Sequence, residues 1–164
     1  MASPYIMLLQ ETNIDKDSLL SLRKKSWNKH AGLAMSDFGS VGGIATLWIA
    51  NLFSLSNSHT TQHWIFSELR HIPSMLSISL FNLYVLVNFQ EKHDCWTSLN
   101  DFIASNSISN VMIAGDLNIM LDSKERKGGI CGRDPMLNTV EKLITCWDLI
   151  DFKPKKGIYT WTNN

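Results

Sequence analysis

Short apolar runs bounded by polar or glycine-rich segments recur along the chain, and such runs predict buried strands. They cover residues 5–9, 44–49, 64–69, 75–87, 111–114 and 158–162. The run at 75–87 is long enough for one extended strand or for two strands joined at a kink. The Ser/Thr/Asn-rich stretch between the second and third runs is predicted to be a loop, and so is the charged, glycine-rich segment 124–134.

Three further segments place apolar residues at the spacing of an amphipathic helix. They cover residues 15–27, 91–104 and 137–147. The first has Asp15 or Asp17 as its cap and basic residues near its end. The apolar stripes of the other two include Trp96 and Trp147, which are therefore predicted to lie in the core. Because helices separate only some of the strands, the pattern favours an α/β (α+β) fold, with a mixed sheet or paired sheets covered by helices.

The composition is that of a globular chain and gives no sign of a particular partner. The 164 residues suffice for one domain, and 15 basic residues balance 15 acidic ones, so net charge does not support nucleic-acid binding, although a local basic patch is compatible with it. Three cysteines without a CxxC pair argue against a disulfide framework or a zinc site. The amino terminus lacks the basic region of a signal peptide, and the longest apolar stretch, residues 75–89, falls short of the roughly 20 residues of a membrane span. We therefore expect an intracellular protein, nuclear or cytoplasmic and not secreted, with no membrane or disulfide partner.

Two carboxylates stand out because each follows a predicted buried strand. Glu11 comes after the first apolar run and Asp116 after the fifth, and open α/β sheets bind ligands at such strand ends. One or two carboxylates with waters can hold Mg²⁺. The alternative is that both acids are turn residues or helix caps. Asn118 lies two residues beyond Asp116, so in an extended segment both side chains would face one pocket and could orient a water beside a phosphate, whereas an Asx-turn would use them locally.

Six segments, in order, resemble motifs of the endonuclease/exonuclease/phosphatase (DNase I-like) superfamily, and in particular the endonucleases of plant LINE-type non-LTR retrotransposons. Leu9-Gln10-Glu11-Thr12 is similar to the family's LQET strand end, and Gly115-Asp116-Leu117-Asn118 to its GD(F/L)N motif. The other four are residues 42–45, 82–84, 127–129 and 157–163. The ordered set is far more specific than any one segment, and it extends over nearly the whole chain.

This resemblance implies a partial DNase I-like two-sheet sandwich with outer helices, formed by residues 1–164 as a single, incomplete domain. It implies hydrolysis of DNA phosphodiesters with Mg²⁺ as cofactor. Glu11 would ligate the metal, and Asp116 would orient or deprotonate the attacking water. Asn118 and Tyr84 would contact phosphate oxygens. Trp161 would line the nucleic-acid cleft, with simple core packing as the alternative.

The chain also departs from the family pattern. The family begins with a strand that carries an Asn and ends with Arg-Leu-Asp and Ser-Asp-His segments, none of which has a match here, and Leu86 stands near the family's usual Pro. Because such sites lose most of their rate when one member is removed, we expect these 164 residues to leave supercoiled plasmid uncut. Two alternatives are a phosphatase or phosphodiesterase on the same scaffold and a non-catalytic remnant or binding module.

Two histidines and a run of three lysines are predicted to be exposed loop or turn residues. His59 and His63 have the i, i+4 spacing of metal ligands on a helix, but their surroundings are not helical, so they are predicted to be exposed loop histidines. Lys153, Lys155 and Lys156 could touch a phosphate backbone, but Pro154 and Gly157 favour a solvated turn.

Overall fold

The computed structural model describes residues 4–36, 42–122 and 133–152. Within these ranges the helices and strands follow the order β1 Ile6–Leu9, α1 Lys16–Ser26, β2 His30–Met35, β3 Ile44–Ile49, β4 Phe53–Thr60, β5 Trp64–His71, β6 Ser77–Tyr84, α2 Phe89–Ser105, β7 Val111–Asp116 and α3 Leu137–Cys146. Asp15, and not Asp17, caps α1, because its carboxylate accepts a hydrogen bond from the Ser18 amide at 2.8 Å. Hydrogen bonding with the Ser18 side chain, and then with its amide, holds the pKa of Asp15 below its ordinary value.

The strands form two sheets. The first has the order β1-β3-β2 and is antiparallel throughout, and the second has the order β4-β5-β6-β7. In the second sheet only the β6–β7 pair is parallel, with α2 as the crossover between these strands. Parallel pairing brings the carboxyl ends of β6 and β7 to the same edge of the sheet.

The alternation of side chains along β6 divides the core into two layers. Leu80 and Tyr84 point towards the first sheet, where Trp48 and Ile44 belong to the same clusters. On the opposite face of β6, apolar side chains pack beneath α2 and α3 in the largest core cluster, whose buried members include Phe81, Leu83, Val85, Trp96, Leu99 and Val140. The first sheet is covered on its outer side by α1, through Leu19. The predicted class, a two-sheet α/β sandwich with outer helices, is confirmed.

The boundaries agree with the sequence pattern for five strands and all three helices, and residues 75–87 contain a single strand, β6. The predicted loop between residues 49 and 64 is wrong, because it contains β4, which pairs with β5. β4 is an edge strand that exposes seven of its eight residues, and beyond Leu55 its sequence contains no apolar residue. β2 was likewise not predicted. The predicted strand at 158–162 and most of the predicted loop at 124–134 lie outside the described residues.

Two of the three cysteines can be placed, and both are free thiols: Cys95 is on the buried face of α2, and Cys146 is exposed at the end of α3. Burial raises the pKa of the Cys95 thiol to about 12. In the described part of the chain, none of the helices combines the length and the apolar character needed to span a bilayer.

Candidate active site

Glu11 lies just beyond the end of β1, in an exposed position with a left-handed backbone (φ +50°). The neighbouring segment holds it there. The Thr12 amide donates to the Gly43 carbonyl at 3.0 Å, and a Cβ on Gly42 would lie 2.8 Å from the Glu11 Cα. Such a close approach of two backbones requires glycine. The Gly-Gly pair therefore lets β1 end against the start of β3 with the Glu11 side chain directed across the sandwich.

The Glu11 carboxylate meets Tyr84, the last residue of β6. The Tyr84 hydroxyl donates to Glu11 Oε1 at 2.5 Å, and the Tyr84 side chain is buried. Burial, this hydrogen bond and the negative charges of Glu11 and Asp116 raise the pKa of Tyr84 to about 12. At neutral pH Tyr84 is therefore a neutral donor that fixes one oxygen of the carboxylate, and no described residue engages the other.

The raised pKa of Tyr84 gives a prediction for alkaline pH. Because the folded pKa lies above the unfolded one, stability from this group is fully present below about pH 10 and is lost as pH rises towards 12. We expect the free energy of unfolding of the wild type to fall through this window more steeply than that of Tyr84→Phe. Urea titrations between pH 8 and 11.5 measure the difference, and parallel curves would contradict the assignment.

Asp116 ends β7 and stands opposite Tyr84 in the parallel register. Its carboxylate is exposed, and it lies close enough to Tyr84 for its charge to act on the hydroxyl. The two sheets also come close through β1 and β7, which have Cα atoms within 8 Å of each other. Glu11 and Asp116 thus lie at the same end of the sandwich, each close enough for its charge to act on the Tyr84 hydroxyl, as their positions after strands predicted.

Asn118 does not continue β7 as an extended residue. Its backbone is left-handed (φ +43°), and its amide donates to Asp116 Oδ1 at 3.1 Å, which is the Asx-turn alternative. Its Nδ2 donates to the Val85 carbonyl at 2.6 Å, just past the end of β6. An amide NH₂ has two hydrogens, and within the described residues only one of those on Asn118 is bonded. Asp116 and Asn118 are therefore coupled to each other and anchored to β6.

A buried amide pair supports this site from within the sandwich. Asn82, two residues before Tyr84, is fully buried; it accepts from Gln10 Nε2 at 2.5 Å and donates to the Ala45 carbonyl at 2.8 Å. Gln10 directly precedes Glu11. The pair joins β6 to the end of β1 and to β3, so it fixes the spacing between the two sheets at the point where Glu11 and Tyr84 meet. The sequence signal for this role is an amide side chain within the largely apolar run 78–87.

The donor set fits a hard cation. Mg²⁺ takes oxygen ligands, retains waters and is commonly held by one or two carboxylates. Glu11 and Asp116 are exposed carboxylates whose charges both act on Tyr84, and no described residue engages the second oxygen of Glu11. Among the residues that the structure describes, there is no group of three or more His, Cys, Asp or Glu side chains that could form a closed metal cage. Trp161, the remaining predicted site residue, lies outside the described residues.

Both of the predicted exposed loop histidines, His59 and His63, are placed differently by the structure. His63 is buried, its Nε2 lies 3.2 Å from Glu91 Oε2, and its carbonyl accepts the Tyr84 amide at 2.8 Å. Burial lowers its pKa, against the opposing charges of Glu91 and Asp94. His63, in the turn that leads into β5, therefore supports the end of β6, and it is buried rather than exposed as predicted. His59 is exposed, but it lies on β4 and not in a loop.

Comparison with known proteins identifies the architecture. No family model and no curated protein matches the sequence. Solved structures do: ANGEL2, a 2′,3′-cyclic phosphatase, superposes with a TM-score of 0.61 at 14% identity, covering 84% of this chain and 43% of that one. An endonuclease/exonuclease/phosphatase family protein from Bacteroides thetaiotaomicron gives 0.55 at 11% identity, with 70% and 49% covered. The fold is that of the endonuclease/exonuclease/phosphatase proteins.

A third structure, D. rerio TDP2 complexed with a single-strand DNA product, gives a TM-score of 0.53 at 16% identity and covers 71% of this chain and 49% of its own. The chain therefore spans about half the length of these structures, or less. At these identities the comparison establishes the fold alone, which is the DNase I-like fold of the endonuclease/exonuclease/phosphatase proteins.

Proposed function

We propose that this chain forms the metal-binding and water-orienting part of a Mg²⁺-dependent phosphodiester hydrolase that acts on DNA, of the plant LINE-type retrotransposon endonuclease kind. The observation that carries the proposal is the convergence of Glu11, Tyr84 and Asp116 from three strands of two sheets. A purely structural carboxylate has no need of an exposed position beside a second carboxylate, since like charges repel. A shared cation explains why both acids are held there.

Each side chain has a definite task in this proposal. Glu11 would hold the metal through Oε2, which no described residue engages, while Tyr84 fixes Oε1 by donating its only proton. Asp116 accepts a hydrogen bond from the attacking water and takes up its proton. Asn118 keeps Asp116 in place through its backbone amide and can donate its second Nδ2 hydrogen to a phosphate oxygen. Bound Mg²⁺ would supply charge neutralisation for the phosphoryl oxygens.

The role that we propose for Tyr84 is not the direct phosphate contact that the family resemblance implies. A phenol has one proton, and in this structure that proton goes to Glu11. Tyr84 can donate to a phosphate oxygen only if its hydroxyl turns away from Glu11. We therefore propose Tyr84 primarily as the residue that orients the metal ligand.

Metal binding is the direct test, because nicking by these 164 residues alone is not expected. We predict that the chain binds Mg²⁺ or Mn²⁺ at one site and that Glu11→Gln weakens this affinity at least roughly tenfold, since even loss of an outer-shell partner costs about that much. Titration calorimetry with Mg²⁺ and electron paramagnetic resonance with Mn²⁺ measure the two affinities. Glu141→Gln, at an exposed position on α3, is the matched control and should bind like the wild type.

Equal affinities of the wild type and Glu11→Gln would refute the metal site. The substrate class is tested on the same proteins, by competition between duplex DNA and adenosine 2′,3′-cyclic phosphate in the presence of metal. Binding of DNA that is lost in Glu11→Gln supports the endonuclease proposal. Metal-dependent binding of the cyclic nucleotide alone would instead favour a phosphatase or phosphodiesterase, and DNA binding that ignores the metal would favour a non-catalytic binding module.

A further inference from the structure

Lys92, in the first turns of α2, is a buried cation that the proposed mechanism does not use. The residue is only 6% exposed. A buried ammonium is strongly destabilising unless its charge is paired and its hydrogens are bonded. Its Nζ lies 2.5 Å from Asp134 Oδ2 and donates to the Asn118 carbonyl at 2.7 Å. Lys92 therefore joins three parts of the fold: α2, the segment that follows β7, and the start of α3.

The contact with Asn118 leads directly to the candidate site. Asn118 is held at its carbonyl by Lys92, at its side-chain amide by the Val85 carbonyl and at its backbone amide by Asp116 Oδ1. Its left-handed conformation (φ +43°) is one that an L-residue keeps only when its surroundings impose it. Lys92 supplies the charged donor in this set, and hydrogen bonds to charged groups are the stronger ones.

The other partner of Lys92 has a separate structural task. Asp134 uses its second carboxylate oxygen, Oδ1, to accept the Met136 amide at 2.8 Å, ahead of α3. The ion pair between Lys92 and Asp134 thus anchors the start of α3, whereas the bond from Lys92 to the Asn118 carbonyl holds a residue of the candidate site. Because the two partners are different residues, substitutions can separate the two effects.

We propose that Lys92 is a positioning residue, which fixes Asn118 and, through the Asn118 amide, the carboxylate of Asp116. The catalytic meaning of this arrangement rests on the proposed function of Asp116, but the mechanical coupling from Lys92 to Asn118 does not. The coupling is therefore tested by a measurement that requires neither metal nor activity.

The test is amide hydrogen exchange by NMR, with the rate at Asn118 divided by the rate of the same amide in an unprotected peptide. Phe81 in the core reports global unfolding separately, and the comparison is made where Asn118 exchanges by local opening. In Lys92→Met this ratio should rise at least about tenfold, the factor that corresponds to one lost hydrogen bond to a charged group. Lys92→Arg, which keeps charge and donors, should restore it. Asp134→Asn should lower the melting temperature but leave the ratio near the wild-type value, and Lys142→Met, at an exposed lysine, should change neither.

An unchanged exchange ratio in Lys92→Met would overturn the proposal. An equal rise of the ratio in Asp134→Asn would also overturn it, because the effect on Asn118 would then come from the loosened start of α3. Should Lys92→Met fail to fold, the unsubstituted chain decides: the ¹⁵N ammonium signal of Lys92 should exchange slowly and correlate with the Asn118 carbonyl carbon. Its absence from a folded sample would refute the coupling. If the exchange result holds while the wild type binds no metal, the proposed function fails and the positioning of Asn118 stands.

Discussion

Gly115→Ala is expected to lower the free energy of unfolding by about 3 kcal/mol or more, because it combines backbone strain with a steric clash. Gly115 has φ +126°, a conformation that L side chains rarely adopt. A Cβ there would lie 2.1 Å from the Leu83 carbonyl oxygen and 2.9 Å from the Leu83 amide nitrogen. Leu83 is its partner in the parallel ladder, so relief of the clash must move β7 away from β6.

The position of this glycine makes the effect local to the site. Gly115 precedes Asp116 and Leu83 precedes Tyr84, so a displaced β7 carries Asp116 away from Tyr84. Urea unfolding followed by tryptophan fluorescence measures the loss. Met112→Ala, on the same strand at a side chain that is 47% exposed, should cost at most about 1 kcal/mol. Similar losses in both variants would show that β7 tolerates a side chain at Gly115.

Asn82→Leu should destabilise the fold by about 3 kcal/mol although it adds apolar surface, because it leaves two polar groups inside the sandwich without their hydrogen-bond partner. The Gln10 side-chain amide loses its acceptor, and the buried Ala45 carbonyl loses a donor. We also expect the Mg²⁺ affinity of the folded fraction to fall, since Gln10 no longer holds the adjoining Glu11 against β6.

Thr46→Val is the matched control for Asn82→Leu. Thr46 is equally buried, but its hydroxyl contributes only the longer contact with Asn82 Nδ2, at 3.3 Å. Its loss should cost about 1 kcal/mol or less. Thermal and urea unfolding of both variants measure these losses of unfolding free energy. If Asn82→Leu proves as stable as the wild type, the amide pair does not hold the two sheets together.

The parts of the fold that could be predicted are those in which burial determines the residue type. The apolar run of β6 is buried on both faces, and the stripe of α2 places Trp96 and Leu99 in the core, so both patterns are strong. The meeting of Glu11 and Asp116 was predictable for a related reason. Both follow short apolar strands, and the topology brings those strand ends together.

The parts that could not be predicted depend on long-range contacts that leave little local signal. β4 faces solvent along almost its whole length, so only its pairing with β5 makes it a strand. Lys92 lies on a helix, where a lysine is usually exposed. Its burial follows from Asp134 and Asn118, which are 42 and 26 residues distant. The left-handed turn at Asn118 likewise depends on Val85, on another strand.

The hydrogen bond between Glu11 and Tyr84 links residues 73 positions apart, whereas Tyr84 and Asp116 are joined by the single β6–α2–β7 unit. Closing the longer loop costs more chain entropy before any contact is gained. A state in which only β6, α2 and β7 have formed has Asp116 in place but no Glu11. Under the proposed function, a cation is bound only after the first sheet has docked. Magnesium should therefore slow unfolding while leaving the rate of folding nearly unchanged, with a stabilisation that grows with its concentration.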